Sequence, residues 1–389
     1  MTVNTPFYHY DMELLESTLQ ALQNAVPSPN FKVHYAIKAN AEQRVLETIQ
    51  RYGLGADCVS GNEIKKAIET GFDASEIVLA GIGKTDEELQ LAISAGIHSI
   101  NCESIEELEV INEIAESNNK TAHISFRINP NVDAKTHHKI TTGLSENKFG
   151  IPISEVGRAS AEIRRMNNLE LKGIHFHIGS QILSMEPFEK LCAQVNNLLD
   201  EMEADGVTLE HINVGGGLGI DYLNPEANPI PDFESYFSIF KENLNVREGQ
   251  TVHFELGRSV VGQCGSLVTK VLYLKKGATK QFAIVDAGMT DLIRPALYDS
   301  YHEIENLSGD SALGSDTYSV VGPICESSDV FGNAEMPITK RGDYLKIKSA
   351  GAYGQVLSSN YNLRDRAATI YSDEKSLEAC ILKSETAMA

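Results

Sequence analysis

The 389-residue chain is 42% hydrophobic and 22% charged, ordinary usage that excludes a disordered or fibrous chain, and its length suggests two or three domains or one large barrel. Lys and Arg number 33 against 54 Asp and Glu, for a net charge of −21, so the surface on average repels phosphate backbones and anionic lipid, and neither nucleic acid nor a membrane is an expected partner. No apolar run reaches the ~18 residues needed to cross a bilayer, and the opening residues lack the basic-then-apolar pattern of an export signal. The six cysteines (Cys58, Cys102, Cys192, Cys264, Cys325 and Cys380) are scattered, with no CxxC pair. The expectation is a soluble cytoplasmic protein with free thiols and no metal site.

In chain order, PFYHYD is strand-like and is followed by an amphipathic stretch, MELLESTLQALQNA. β-rich segments then recur at a spacing of about 22 residues: VHYAIKA from Val33, GADCVS from Gly55, IVLAG from Ile77, SINC from Ser99 and HISFRI from His123. Helical stretches lie between them. TDEELQLAISAG and SIEELEVINEIAES open with Thr or Ser followed three residues later by Glu, the signature of a capping box. LKGIHFHI from Leu171, HINVGG from His211 and TVHFEL from Thr251 bring the strands to about eight, with EPFEKLCAQVNNLLDEMEA and FESYFSIFKENL as intervening helices. Such alternation predicts a (β/α)8 barrel over roughly residues 27–260. After Gly257 the pattern turns to strands and turns (QCGSLVTKVLYLKK, QFAIVDAG, YSVVGPIC, DYLKIKS, AATIY). We therefore expect an α/β fold whose second, mainly β domain combines residues 1–26 with 261–389 and takes in the N-terminal strand.

A (β/α)8 barrel carries its active site at the C-terminal ends of its strands. Lys38 in YAIKAN ends the first; it either closes a strand toward solvent or has a buried stem and an amine suited to imine formation. In GIHFHIGSQI, His175 and His177 share parity and so point to one side, as inward site residues or as satisfied core histidines. NVGGGLGI places Gly215, Gly216 and Gly217 where backbone N–H groups are free to meet a phosphate, or where a tight turn needs glycine. HFELGR pairs Glu255 with Arg258, a phosphate clamp in an otherwise acidic protein. A lysine for an aldehyde, a glycine turn with Arg for a phosphate, an acid for a ring nitrogen and a stacking imidazole together suit pyridoxal 5'-phosphate.

The motifs YAIKAN, GADCVSGNEI, INPNVDAKTHHKITTGLSENKFGI, GIHFHIGSQI, NVGGGLGI, ELGR, DLIRPALY, VGPICESSDVF and AGAYGQVLSSNYN follow in an order and spacing that resemble the fold-type III pyridoxal-phosphate decarboxylases over nearly the whole chain. The resemblance implies decarboxylation of meso-2,6-diaminopimelate to L-lysine and CO2, the last step of lysine biosynthesis. It implies that Lys38 forms the imine with the cofactor and that His177 stacks on the ring. Glu255 would face the ring nitrogen, with Asp57, Ser180, Gly215, Gly216, Gly217, Gly257, Arg258 and Tyr353 completing the cofactor set. The substrate would meet Arg258, Arg294, Tyr298, Glu326 and Tyr353. The resemblance further implies a homodimer with shared sites, in which Cys325, the proton donor, and Glu326 reach into the partner's site. Two positions depart from the family pattern: Leu256 stands where Pro is usual and Ser328 where Gly is usual. Three other readings stay open, namely a decarboxylase for ornithine or arginine, a racemase of the same barrel and cofactor, and a non-catalytic relative. The distal-end residues argue against the first two, and retention of Lys38 and Cys325 against the third.

Overall fold

The structure is a computed structural model that describes residues 4–132 and 148–385. Residues 133–147 of the INPNVDAKTHHKITTGLSENKFGI motif lie outside the described residues. The chain opens on β1 (Phe7–Tyr10) and a helix, Met12–Ala25. The strands β2 (Phe31–Ala36), β3 (Gly55–Cys58), β4 (Ile77–Leu79), β5 (Ser99–Cys102), β6 (Ala122–Asn129), β7 (Ile151–Pro152), β8 (Leu169–His175), β9 (His211–Asn213) and β10 (Thr251–Leu256) follow. Eight of them pair in parallel in the order β2-β3-β4-β5-β6-β8-β9-β10, and β10 returns to β2 with Phe254 opposite Val33, so the ring closes. The short β7 adds to β6 outside the ring. This is the expected barrel, and closure removes every sheet edge from it.

Local sequence sets the intervening helices. Thr85 caps Asp86–Ala95 with a complete capping box, and Gly96 ends that helix at φ +65°, a left-handed conformation that glycine adopts without a Cβ clash. The matching pattern at Ser104 is only half realised. Ser104 accepts from the Glu107 N–H, but the Glu107 side chain accepts from the Glu103 N–H at 2.6 Å and pairs with Lys84 at 2.7 Å.

The barrel interior holds a polar layer. His34 Nε2 lies 2.7 Å from His253 Nδ1, Ser125 Oγ 2.8 Å from His211 Nε2 and Ser99 Oγ 2.7 Å from Ser125 Oγ. The rings of His98, His211 and His253 pack with centroids 4.8–4.9 Å apart. Burial, then the neighbouring His98, pushes His34 down to about 4. His211 and His253 are also pushed well down, again chiefly by burial.

The second sheet comprises β11 (Gly265–Lys276), β12 (Gln281–Val285), β13 (Ile304–Asn306), β14 (Ser315–Val321), β15 (Val330–Pro337), β16 (Tyr344–Ile347) and β17 (Ala368–Tyr371), in the order β13-β16-β11-β12-β14-β15. The N-terminal β1 joins it, antiparallel to β11 and parallel to β17, with Phe7 opposite Val268 and Ala368. Phe7, Val268, Tyr344, Ile370 and Cys380 form a core beneath it. By internal contacts the chain divides into a barrel unit, Leu19–Gly219 with Asp232–Gly257, and a β unit, Met1–Thr18 with Ile220–Pro231 and Arg258–Ala389. These units and the expected ranges differ at residues 19–26, 220–231 and 258–260. Among the described residues no helix is long and apolar enough to cross a membrane, and no cluster of His, Cys, Asp and Glu could hold a metal ion.

Neither departure from the motifs strains the backbone. Leu256 is a buried strand residue in register with Tyr35. Ser328 is absent from the residues with positive φ, so nothing there calls for glycine.

Candidate active site

The first barrel strand ends at Ala36, and one 3-10 turn, Ile37–Ala39, carries Lys38 just past it. Its amine forms an ion pair with Asp57 on β3, a fully buried carboxylate whose other oxygen has no partner among the described residues. Burial and the nearby Glu255 charge push the Asp57 carboxyl up, with Lys38 opposing them. Glu255, on β10, is also buried but is richly supplied with donors. Asn213 donates to Oε1 at 2.8 Å, Asn101 reaches it at 3.5 Å, and His175 Nε2 lies 3.0 Å from Oε2. A carboxylate only accepts, so the proton in that last bond sits on His175 Nε2. Burial would raise the Glu255 pKa, but His175 and Lys38 outweigh it and hold this carboxyl well below the usual range.

Lys38, Arg127, Phe149, His175, His177 and Glu255 line one cavity of about 400 Å³ at the strand ends. The shared parity of His175 and His177 thus delivers both to one space. Burial first, then the Arg127 and Lys38 cations, pushes His177 down to about 3, so its ring is neutral. Gly216 N–H donates to His177 Nδ1 at 3.3 Å. Arg127 is held by Glu103 at 2.9 Å and lies 4.6 Å over the Phe149 ring.

The glycine turn differs from expectation in its donors. Gly215 N–H is taken by Asn213 Oδ1 at 2.9 Å and Gly216 N–H by His177, so neither is free for a phosphate. Steric need is what the glycines meet here. A Cβ at Gly215 would lie 2.1 Å from the Phe176 carbonyl oxygen, at Gly216 1.9 Å from that of Glu255, and at Gly217 2.7 Å from that of Gly179. Gly257 is equally confined, with a Cβ there 2.9 Å from that of Ala39. Ser180 is half-buried past the end of β8.

In the β unit, Arg258 opens a four-residue helix and Arg294 a five-residue one, and both side chains are buried. They meet on Tyr222. Arg258 Nη1 donates to its hydroxyl at 2.6 Å, Arg294 Nη1 donates to the same oxygen, and Arg294 Nη2 donates to Ser300 Oγ at 3.1 Å. Arg258 also lies 4.9 Å over the ring of Tyr353, a residue at φ +56°. Tyr298 is half-buried at the end of the Arg294 helix. Cys325 and Glu326 are exposed; within this chain the Cys325 N–H donates to Asn362, and Glu326 accepts from Tyr361. The other five cysteines are buried.

Sequence reasoning passed over Asn101, Glu103, Arg127, Asn213 and Tyr222. The first four lie at or just beyond the C-terminal ends of barrel strands, so testing every polar residue there, and not only Lys, His and Glu, finds them.

The family described as "Pyridoxal-dependent decarboxylase, pyridoxal binding domain" matches residues 12–262. The chain is 54% identical to a diaminopimelate decarboxylase of Bacteroides thetaiotaomicron over 96% of this chain and 97% of that protein. It is 40% identical to the enzyme of the same name from Neisseria meningitidis, over 95% and 88%. Among solved structures, diaminopimelate decarboxylase from Helicobacter pylori complexed with L-lysine superposes with a TM-score of 0.90 at 37% identity, covering 98% of both chains.

Proposed function

The chain belongs to the pyridoxal-dependent decarboxylase family, and from that premise we propose that it converts meso-2,6-diaminopimelate to L-lysine and CO2 with pyridoxal 5'-phosphate as cofactor. The observation that carries the substrate is the convergence of two buried guanidinium groups, Arg258 and Arg294, on one oxygen. Paired guanidiniums suit a carboxylate that stays on the substrate, which ornithine and arginine lack at that end.

The residues fit the cofactor. The cavity joins an amine, Lys38, to a buried carboxylate, Glu255, that is held in its charged form. Bound there, pyridoxal phosphate supplies an electron-withdrawing ring that accepts the electron pair left when CO2 departs. Lys38 is the residue that would link to it, and Asp57, with its raised pKa and direct contact, takes the proton that the Lys38 ammonium must lose to become a nucleophile. Glu255, kept ionised by His175 and Asn213, would stabilise positive charge on the ring nitrogen. His177, neutral and in contact with the Gly216 amide, is the residue that would stack on the ring. Gly217, Ser180 and Arg258 would hold the phosphate, while Gly215 and Gly257 contribute closeness of approach.

Tyr298 and Tyr353 complete the substrate's surroundings, and a second copy of the chain supplies Cys325 as proton donor and Glu326 for the distal amine. Their exposure, with Cys325 bonded only through its amide to Asn362 and the Glu326 side chain to Tyr361 among the described residues, supports that assignment. Six free thiols support a cytoplasmic location. The test is to incubate the purified protein and pyridoxal phosphate with meso-diaminopimelate, ornithine and arginine and measure CO2 from each. Release confined to diaminopimelate is expected; faster release from ornithine or arginine refutes the substrate.

A further inference from the structure

Tyr222 lies outside the motifs by which the chain resembles its family, yet it is the meeting point of both buried arginines. Its hydroxyl oxygen accepts from Arg258 and from Arg294, and the Arg294 guanidinium lies 4.9 Å over its ring. His302 packs against the same ring edge-on, with centroids 5.2 Å apart. Burial would raise the phenol's pKa, but the two cations overcome this and lower it. Among the described residues, Arg294 has no carboxylate partner, and its Nε is buried without a hydrogen bond.

A phenol accepts through two lone pairs and donates through one proton. Both acceptor positions of Tyr222 are filled by cationic donors, and its own O–H proton meets no acceptor among the described residues. Two charge-assisted bonds into an oxygen polarise its O–H and make it a stronger donor. Three donors therefore converge where no negative charge answers Arg294.

Resting on the reading of this site as the one for the substrate's non-reacting end, we propose that Tyr222 is a specificity-determining residue: its hydroxyl is the third donor to the retained carboxylate. The two arginines supply charge, and the hydroxyl fixes where between them a carboxylate oxygen sits. A substrate or product with an amine but no carboxylate at that end gains nothing from it.

L-Lysine and 1,5-diaminopentane differ only in that carboxylate and serve as probes. On the holoenzyme, Tyr222→Phe keeps the ring against Arg294 and His302 and removes the hydroxyl alone. A bond from a hydroxyl to a charged group converts to roughly 10-fold or more in binding. L-Lysine should therefore inhibit Tyr222→Phe at least about 10-fold more weakly, while inhibition by 1,5-diaminopentane stays within about twofold. KM for diaminopimelate should rise with lysine's inhibition constant, and kcat should change far less. Circular dichroism and the visible absorbance of the bound cofactor establish that the variant is folded and loaded; Tyr222→Leu, which lacks the hydroxyl and the ring, should show the same selective loss for lysine. Lysine binding that is unchanged or tighter means that Tyr222 merely occupies the carboxylate's place, and equal weakening of both probes means that it only supports the site; either result overturns the proposal. If the wild-type enzyme itself fails to prefer L-lysine over 1,5-diaminopentane, the reading of the arginine site falls first and this proposal with it.

Discussion

The imidazole layer inside the barrel makes stability acid-sensitive, and His34 sets the size of the effect. An unfolded histidine titrates near 6.5, whereas burial holds His34 down to about 4 in the fold. Between those values the unfolded chain binds a proton that the folded one does not, so this stability is complete above pH 6.5 and is lost as pH falls toward 4. Integrating that difference gives about 2 kcal/mol lost by pH 5 and about 3 kcal/mol by pH 4 from this one residue. His34→Gln removes the titration yet keeps an amide able to bond His253 Nδ1. The variant should be less stable at pH 7, but its further loss between pH 7 and pH 5 should be smaller than the wild type's by about 2 kcal/mol. Urea unfolding at the two pH values, followed by circular dichroism, measures both differences. Equal losses in the two proteins would show that His34 is protonated in the fold or that the layer does not resist charge, and the argument from burial would fail.

Lys38→Ala should lose the visible absorbance of a lysine-linked cofactor and nearly all turnover; borohydride reduction and peptide mapping that label another lysine would refute the assignment. Arg294→Ala should lower kcat/KM for diaminopimelate by about 30-fold or more, since a charge-assisted bond lost from a dry site costs roughly 2–5 kcal/mol. Substrates without the distal carboxylate should lose far less, and equal losses would make Arg294 a support for the fold. Mixed Lys38→Ala and Cys325→Ala proteins, each nearly inactive, should recover up to about a quarter of wild-type activity as exchanged heterodimers. No recovery, once heterodimers are shown, would end the shared-site reading.

The barrel was legible because each β/α unit carries its own periodicity, and Met12–Ala25 falls on the stretch expected from pattern alone. Less was legible wherever the outcome depends on a competitor remote in sequence. Glu107 has the spacing of a capping glutamate, but Lys84 and the Glu103 amide take its side chain. The glycine amides look free in NVGGGLGI until Asn213, in the same motif, and His177, 39 residues away, claim two of them. His34, His211 and His253 lie far apart in the sequence and become a layer only when the ring closes. Tyr222 lies 36 residues from Arg258 and 72 from Arg294, beyond any local motif. Ile220–Pro231 carries no periodic signal to say that it leaves the barrel unit.

Asp57 and Glu255 show how the barrel differentiates two carboxylates that are both buried and both near Lys38. Burial raises the pKa of each, so depth cannot be what separates them. Donor count separates them. Glu255 receives Asn213, Asn101 and His175, and these hold its charged form against the loss of solvent. Asp57 has Lys38 on one oxygen and, among the described residues, no hydrogen-bond partner on the other, and it feels the Glu255 charge besides. The two environments therefore push the carboxyls apart, Glu255 toward its charged form and Asp57 toward its neutral one. Strands β5, β8 and β9 create this inequality through Asn101, His175 and Asn213, each of which bonds Glu255 while none of them, among the described residues, bonds Asp57.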